Sequence, residues 1–156
     1  MKPRADLFIS DVHLDADTPG RLQALREFLH RHVPCAGRLF ILGDLFNVWI
    51  GRKQLVEPHV AALCDDLRRL AGRDVELHFL AGNRDFYALD LLARRTGLIV
   101  HRDAFAIDSL GEPTWLCHGH ELCRHDRRTR HAQSVTHSKP VELAFQYLLP
   151  RWVGMY

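Results

Sequence analysis

Short runs of apolar residues alternate along the chain with longer segments of helical periodicity, and this alternation constrains the fold most. The runs that predict strands lie at residues 7–10, 38–42, 75–80 and 114–117, with short ones near 98–100 and 104–107. The segments that predict helices lie between them, at about residues 18–33, 60–72 and 87–95. This order is typical of a layered α/β fold built from βαβ units. No internal repeat or Gly/Ser linker interrupts it, so we expect residues 1–156 to form one domain.

Composition and charge indicate an ordinary globular protein. Of the 156 residues 47% are hydrophobic, and 21 Lys and Arg balance 19 Asp and Glu, which excludes disordered, collagen-like and coiled-coil chains. The apolar runs are far shorter than the roughly 20 residues of a membrane-spanning helix. The N-terminus lacks the apolar core of a secretory signal, so we expect a cytoplasmic protein. Its cysteines lack zinc-finger spacing and are expected to be reduced thiols.

Each of the four longer predicted strands is followed at once by side chains of the kinds that bind metal ions. Asp11 and His13 follow the first strand, Asp44 the second, Asn83 the third and His118 the fourth. Ligands of open α/β sheets bind beyond the carboxyl ends of the strands, so we expect these side chains to meet in one crevice. Single Asp residues after strands are often helix caps or Asx turns, but independent caps need not recur at every strand end.

The local sequence around these residues suggests how each one reaches the site. Asp11 and His13 stand two apart, so an extended backbone would direct both side chains to the same side. Asp44 has two carboxylate oxygens and can bridge two ions. Gly43 and Gly82 are expected to allow tight backbone turns beneath the ligands.

The mixture of carboxylate, imidazole and amide oxygen suits Mn²⁺, Fe²⁺ or Zn²⁺ and predicts a pair of ions. Such a pair generates hydroxide and stabilises an in-line displacement at phosphorus. Arg84, beside Asn83, can add a bidentate contact to a phosphate oxygen. We expect the other histidines that precede residue 114 to lie on the surface or to be hydrogen-bonded in the core. They are His30, His32, His59, His78 and His101.

The motifs that carry these residues resemble the calcineurin-like metallophosphoesterases. They are Ser10 to Leu14, Gly43 to Phe46 with Trp49-Ile50-Gly51, Gly82 to Phe86, and His118-Gly119 with Leu122-Cys123. Within that superfamily they are most similar to the UDP-2,3-diacylglucosamine hydrolase family, from about residue 7 to residue 123 and weakly on to residue 140. The resemblance implies a layered βαβ phosphoesterase fold, two Mn²⁺ ions, and hydrolysis of UDP-2,3-diacylglucosamine to the acylated sugar 1-phosphate and UMP.

The resemblance also implies a role for each matching residue. The metal ligands would be Asp11 and His13 for the first ion, Asp44 as the bridge, and Asn83 and His118 for the second ion. The residues in contact with substrate phosphate would be Arg84 and Asn83, which with Asp44 form the catalytic set. Asp85 and His120 would support the ligands through hydrogen bonds, because metal ligands need such partners.

Some positions depart from the family pattern. His120 stands where aspartate is usual, Asn47 where an acid is frequent, and Arg52-Lys53 where the family has an acidic pair. These changes lie beside the ligands and leave a general phosphodiesterase or phosphatase of the same superfamily as an alternative. The family also completes its metal site with a Gly-His-Thr-His segment that this sequence lacks, so we expect the C-terminal part of the fold to be missing. A truncated, inactive metal-binding or interaction module is therefore a further alternative.

Two local substitutes for the missing histidines stay open. His120 is close enough in sequence to enter the metal site, and Cys117 and Cys123 with His118 and His120 could instead hold a zinc ion. Both are weaker expectations, because the missing pair belongs to another strand end and Cys117 would face away from the histidines.

The C-terminal stretch is basic and then apolar. Residues 124–139 contain five Arg and Lys against one acid, which suits a pyrophosphate, an anionic membrane, a nucleic acid or simply solvent. Residues 141–156 are apolar and aromatic and are expected to be helical, either in contact with acyl chains or packed in the core. We therefore expect an acylated UDP-sugar substrate and contact with the cytoplasmic face of the inner membrane, and no strong nucleic-acid signal.

Overall fold

A four-stranded parallel sheet organises the fold. The computed structural model describes residues 4–85 and 87–119. Its elements are β1 (Asp6–Ile9), α1 (Pro19–Arg31), β2 (Arg38–Leu42), α2 (Pro58–Ala71), β3 (Glu76–Leu80), α3 (Leu89–Thr96), β4 (Ile99–His101), β5 (Phe105–Ser109) and β6 (Glu112–Leu116). The strands of the parallel sheet lie in the order β1-β2-β3-β4, and β5 and β6 form a separate antiparallel pair. The α/β class with βαβ units is thus confirmed.

The helices begin and end at residues that favour helix starts and helix ends. Pro19 and Pro58 occupy the first turns of α1 and α2, where a missing backbone N–H costs nothing. Gly97 ends α3 in the left-handed region, with φ at +81°. A side chain at Gly97 would also meet the Ala71 Cβ at 2.8 Å, so glycine lets α3 approach α2 closely.

The hydrophobic core lies between these helices and one face of the parallel sheet. Alternate residues of the central strands point into it, among them Leu39, Ile41, Leu77 and Phe79, all at most 2% exposed. The helices contribute a stripe that includes Leu63 of α2, which is fully buried. Because this packing fixes the strands, it also fixes the positions of the loops that leave their carboxyl ends.

The opposite face of the sheet carries a row of stacked rings. Phe8 stacks on Phe40 with centroids 5.1 Å apart, and Phe40 stacks on His78 at 4.7 Å. From β5, Phe105 lies nearly parallel to His101 with centroids 3.6 Å apart. The hairpin of β5 and β6 is therefore docked on this face through ring contacts.

Ion pairs add a second attachment for the hairpin. The Arg38 guanidinium donates to both carboxylate oxygens of Asp6, at 2.8 and 2.7 Å, and to the Asp108 carbonyl at 2.6 Å. Ser109 Oγ donates to Asp6 Oδ2 at 2.7 Å. The pair with Arg38 holds the pKa of Asp6 below its ordinary value. The hairpin is thus connected to β1 and β2 as well as to β4.

The sequence-based expectation about the fourth strand needs a correction. His118 follows β6, which pairs with β5 and not with the parallel sheet, whereas the fourth parallel strand is β4. The reason is that Leu110 and Gly111, both with positive φ, turn the chain back after β5, so that β6 runs antiparallel to it. None of the described helices is long and apolar enough to cross a membrane. The predicted basic and apolar stretch at 124–156 lies outside the described residues, and the one-domain organisation stays a prediction.

Candidate metal centre

The loops after β1 and β2 run side by side beyond the sheet. His13 N donates to the Asp44 carbonyl at 2.9 Å, and Leu14 N donates to the Leu45 carbonyl at 2.9 Å. The pairing of the two strands therefore continues past their ends. As a result the side chains of His13 and Asp44 are brought to the same point.

The backbone of this region is left-handed at three non-glycine residues. The φ angles of Asp11, His13 and Asp44 are +54°, +49° and +52°. The expectation that extended backbone places Asp11 and His13 together is therefore wrong, although their side chains do meet, with Asp11 Oδ1 3.7 Å from His13 Nε2. Such conformations cost about 1–3 kcal/mol each and cluster at functional sites.

Two glycines allow the loops to approach each other. Gly43 has φ at +83°, and a Cβ there would lie 2.7 Å from both Gly82 Cα and His118 Nδ1. A Cβ on Gly82 would overlap the Asp44 carboxylate. The tight turn predicted at Gly43 is thus confirmed, whereas Gly82 is required by the close approach of Asp44, and at both glycines a candidate ligand occupies the space that a side chain would fill.

The candidate ligands converge at the carboxyl end of the sheet. Ligand atoms of Asp11, Asp44 and His118 all lie within 4.8 Å of one another. His13 Nε2 lies 3.8 Å from Asp44 Oδ2, and His118 Nε2 lies 3.6 Å from Asp44 Oδ1. Asp44 is buried between the two histidines, so its two oxygens face two different imidazoles.

The tautomer of His118 is determined by its surroundings. Its Nδ1 donates to the Leu42 carbonyl at 2.8 Å, and because a carbonyl can only accept, this nitrogen carries the proton of the neutral ring. Its Nε2 then presents a lone pair to Asn83 and Asp44. Backbone acceptors orient metal-binding histidines in the same way.

The carboxamide of Asn83 completes the cluster. One of its terminal atoms lies 3.1 Å from His118 Nε2 and 3.0 and 3.2 Å from the two Asp44 oxygens. If this atom is the amide nitrogen, it donates hydrogen bonds to these acceptors. If it is the amide oxygen, it can bind a cation together with them. His13 Nδ1 is buried and has no partner within the described part of the chain. Oxygen and nitrogen donors arranged in this way fit a divalent ion of the Mn²⁺, Fe²⁺ or Zn²⁺ type.

Asp85 holds the loop that carries Asp44. Its carboxylate is fully buried and accepts four backbone N–H bonds, from Asp44 at 3.0 Å, Leu45 at 2.6 Å, Phe46 at 3.3 Å and Gly82 at 3.0 Å. Burial raises the pKa of Asp85 to about 6, against these donors, which favour the ionised form. Asp85 therefore joins the loops after β2 and β3.

Arg84 lies at the edge of the cluster and is 49% exposed. Its backbone N–H donates to Asp44 Oδ1 at 3.1 Å, and its Nε lies 3.8 Å from Asp44 Oδ2. Its Nη1 donates to Asn47 Oδ1 at 3.1 Å. A pocket of about 110 Å³ opens beside this contact and is lined by Asp15, Phe46, Asn47, Lys53, Gln54 and His59 among others.

The sequence-predicted residues fall into three groups. The five predicted metal ligands, Arg84 and Asp85 are brought together, while His120 and Cys123 lie outside the described residues. Of the other histidines, His30 pairs with Asp66 and His78 with His101, whereas His59 lines the pocket beside Asn47. Sequence reasoning missed the Leu42 carbonyl and the contacts of Asn47, because no motif reports a backbone acceptor or a partner in a separate loop.

The sequence profile of the calcineurin-like phosphoesterases matches residues 7–151. The chain belongs to the calcineurin-like phosphoesterase family. Members of this family bind divalent metals and act on phosphate-containing substrates, in keeping with the donor set of this phosphoesterase.

Curated relatives narrow the comparison. A UDP-2,3-diacylglucosamine hydrolase of Shewanella loihica is 39% identical over 78% of this chain and 49% of its own length. The protein of the same name from Aeromonas salmonicida is 40% identical over 85% of this chain and 52% of its own. One from Neisseria meningitidis serogroup B is 33% identical over 97% of this chain and 62% of its own. The phosphoesterase chain thus spans about half the length of the first relatives it matches.

Proposed function

We propose that this phosphoesterase hydrolyses the pyrophosphate of an acylated UDP-sugar. The reaction is that of UDP-2,3-diacylglucosamine with water, which gives 2,3-diacylglucosamine 1-phosphate and UMP. The observation that carries the proposal is the convergence of Asp11, Asp44 and His118, whose ligand atoms lie within 4.8 Å of one another. The relatives that carry the name of this hydrolase support the choice of substrate.

The proposed cofactor is a pair of divalent ions, Mn²⁺ in the first instance. Asp11 and His13 would hold one ion and Asn83 and His118 the other, with Asp44 shared because its two oxygens face two imidazoles. When bound, such ions activate water at neutral pH and offset charge on phosphoryl oxygens.

The other residues act on the substrate or on the ligands. Arg84 has guanidinium N–H groups beside the cluster and would pair with a phosphoryl oxygen, whose charge changes during displacement. Asn83 would contribute a second polar contact there. Asp85 would keep Asp44 in its left-handed conformation through its hydrogen bonds to the loop. His120 is proposed as a further supporting residue from its position in the sequence alone.

A membrane position belongs to the same proposal. A sugar with two acyl chains partitions into a bilayer, so the enzyme must meet its substrate at a surface. The basic residues 124–139 and the apolar residues 141–156 have the composition of such a contact. We propose a peripheral position on the cytoplasmic face of the inner membrane. Sedimentation with anionic and zwitterionic vesicles tests this position. If the protein sediments with neither kind of vesicle, the proposal is contradicted.

The function is tested with two substrates. Purified protein with Mn²⁺ is offered UDP-2,3-diacylglucosamine and, separately, bis-p-nitrophenyl phosphate, and the products are followed by chromatography. The proposal expects release of UMP from the acylated UDP-sugar. Turnover of the aryl diester alone would support the general phosphodiesterase, which Lys53 at the pocket favours because a cation there suits many phosphate esters. Absence of any turnover would support a binding module.

A further inference from the structure

Asn47 connects the loops that follow three strands of the sheet. Its Oδ1 accepts a hydrogen bond from Arg84 Nη1 at 3.1 Å, and its Nδ2 donates to Asp15 Oδ2 at 2.9 Å. A guanidinium only donates and a carboxylate only accepts, so the two partners determine which way the amide is turned. Its backbone N–H donates to the Leu14 carbonyl at 3.0 Å, which fixes the residue at its base as well.

The far partner, Asp15, is itself held in place. Its Oδ1 accepts from Ala16 N at 2.6 Å, and its own N–H donates to Thr18 Oγ1 at 3.1 Å, which closes the turn before α1. The second oxygen is therefore presented to Asn47 by a rigid turn. Rotation of the Asn47 amide would lose both hydrogen bonds at once.

This contact orients Arg84, whose guanidinium also lies within ion-pair distance of Asp44 but gives that carboxylate no side-chain hydrogen bond. Its Nη1 bonds a neutral amide, and its Nε lies 3.8 Å from Asp44 Oδ2, too far for a hydrogen bond. The guanidinium has five N–H donors in a planar fork, and about half of the side chain is exposed. Within the described residues its other guanidinium N–H groups make no hydrogen bond, so they are available to a phosphoryl oxygen beside the metal centre.

We infer that Asn47 is a positioning residue for Arg84, which it holds at the metal centre with its charge available for a phosphoryl oxygen. The inference rests on the proposed function, because that function assigns phosphate binding to Arg84. A carboxylate at position 47 would form a charge-assisted pair with Arg84 and compete with the phosphate. It would also face the Asp15 carboxylate across the 2.9 Å that a hydrogen bond now spans.

The test uses Asn47→Asp, which keeps the shape of the side chain and adds the competing charge. The probe is inorganic phosphate, titrated into the Mn²⁺-loaded full chain and measured by calorimetry. We expect the phosphate affinity to fall about tenfold, as competition from one charge-assisted hydrogen bond predicts. Gln23→Glu makes the same change of charge on the exposed face of α1 and is expected to leave the affinity unchanged. The Mn²⁺ affinity is measured alongside and is expected to stay the same.

A double-mutant cycle separates positioning from general damage. In an Arg84→Gln background, Asn47→Asp is expected to change phosphate affinity by less than about twofold, because the guanidinium with which the new carboxylate would pair is no longer present. A tenfold loss in both backgrounds would contradict the inference, since the effect would then not pass through Arg84. Circular dichroism of each variant reports whether the fold is retained.

A second variant tests the inference if Asn47→Asp does not fold. Asn47→Ala removes the anchor without adding charge, and we expect about a threefold loss of phosphate affinity from loss of one neutral hydrogen bond. Wild-type affinity in either folded variant would overturn the inference. If the wild-type chain hydrolyses neither substrate and the losses still require Arg84, the inference holds and the proposed function fails. If hydrolysis occurs and the variants bind phosphate normally, only the inference fails.

Discussion

Individual residues at the metal centre are held in place by backbone groups more than by one another. His118 is oriented by the Leu42 carbonyl, and Asp44 by the N–H bonds that its loop makes to Asp85. The three left-handed residues are fixed by the pairing of neighbouring loops. Because these contacts involve no ion, they reduce the reorganisation that ion binding requires.

Gly82 offers the sharpest test at the residue scale. A methyl group there would overlap the Asp44 carboxylate and lie 2.9 Å from Asp85 Oδ1, so Gly82→Ala must displace one of the two. We expect a loss of about 1–3 kcal/mol in the free energy of unfolding, as in other overpacked sites. Mn²⁺ affinity is expected to fall as well. Urea unfolding and calorimetry measure the two effects.

Gly20 provides the matched control for this change. It lies in α1, where a Cβ would have nothing within 4 Å of it, and alanine is favoured over glycine in a helix. Gly20→Ala is expected to leave Mn²⁺ affinity unchanged and to keep or raise stability. Equal Mn²⁺ affinity in wild type and Gly82→Ala would show that the space at Gly82 does not matter to the ligands.

At the scale of elements, the hairpin of β5 and β6 decides where His118 lies. Phe105 anchors it on His101, so Phe105→Ala should loosen the hairpin and lower the affinity for the ion that His118 would hold. We expect stability to fall by about 2 kcal/mol, less than the roughly 3–5 kcal/mol of a fully buried phenylalanine, because Phe105 is only half-buried. Mn²⁺ titration followed by calorimetry should show one of two binding steps weakened more than the other.

Trp115 on the outer face of the same hairpin is the control. It is 65% exposed, so Trp115→Ala removes an aromatic ring of the same element without touching the sheet. Its stability is expected to change by no more than about 0.5 kcal/mol. If both variants weaken Mn²⁺ binding alike, the stack of Phe105 on His101 is not what positions His118.

The same stack makes stability depend on pH. Burial, and then the neighbouring charge of His78, lower the pKa of His101 from its ordinary 6.5. The unfolded chain therefore binds a proton near pH 6.5 that the folded chain takes up only at lower pH. The contribution of His101 is present above pH 6.5 and is lost as the pH falls through the folded pKa.

Replacement of His101 by phenylalanine tests this dependence. His101→Phe keeps a ring for Phe105 and removes the titrating group, although His78 Nδ1 loses a partner 3.0 Å away. We expect a flatter profile of the free energy of unfolding between about pH 7.5 and pH 5 than in the wild type. Urea unfolding across that range measures the slope, and identical slopes in the two proteins would contradict the assignment.

For the whole molecule, the sequence predicted what depends on local pattern. The apolar runs predicted the parallel strands, and the helical periodicity at about residues 18–33, 60–72 and 87–95 predicted the three helices within a few residues of their ends. The order of ligand residues at the strand ends predicted one site. These features can be predicted because each depends on residues near in sequence or on the general rule that the carboxyl ends of parallel strands lie at one edge of the sheet.

The features that sequence reasoning missed depend on contacts between distant loops. The left-handed conformations of Asp11 and His13 arise because their loop pairs with the one after β2, which no local pattern encodes. Likewise β6 pairs with β5 outside the parallel sheet because the chain reverses at Leu110 and Gly111, and Asn47 meets Arg84 only in the folded chain. Tertiary context decided each of these outcomes.

We propose that this chain holds two divalent ions that share Asp44. Native mass spectrometry of the chain with Mn²⁺ measures it directly, with Asp44→Asn as the partner variant. We expect two ions for the wild type and one or none for Asp44→Asn, because both sites lose the shared carboxylate. One ion or none in the folded wild-type chain, or two in Asp44→Asn, would contradict it.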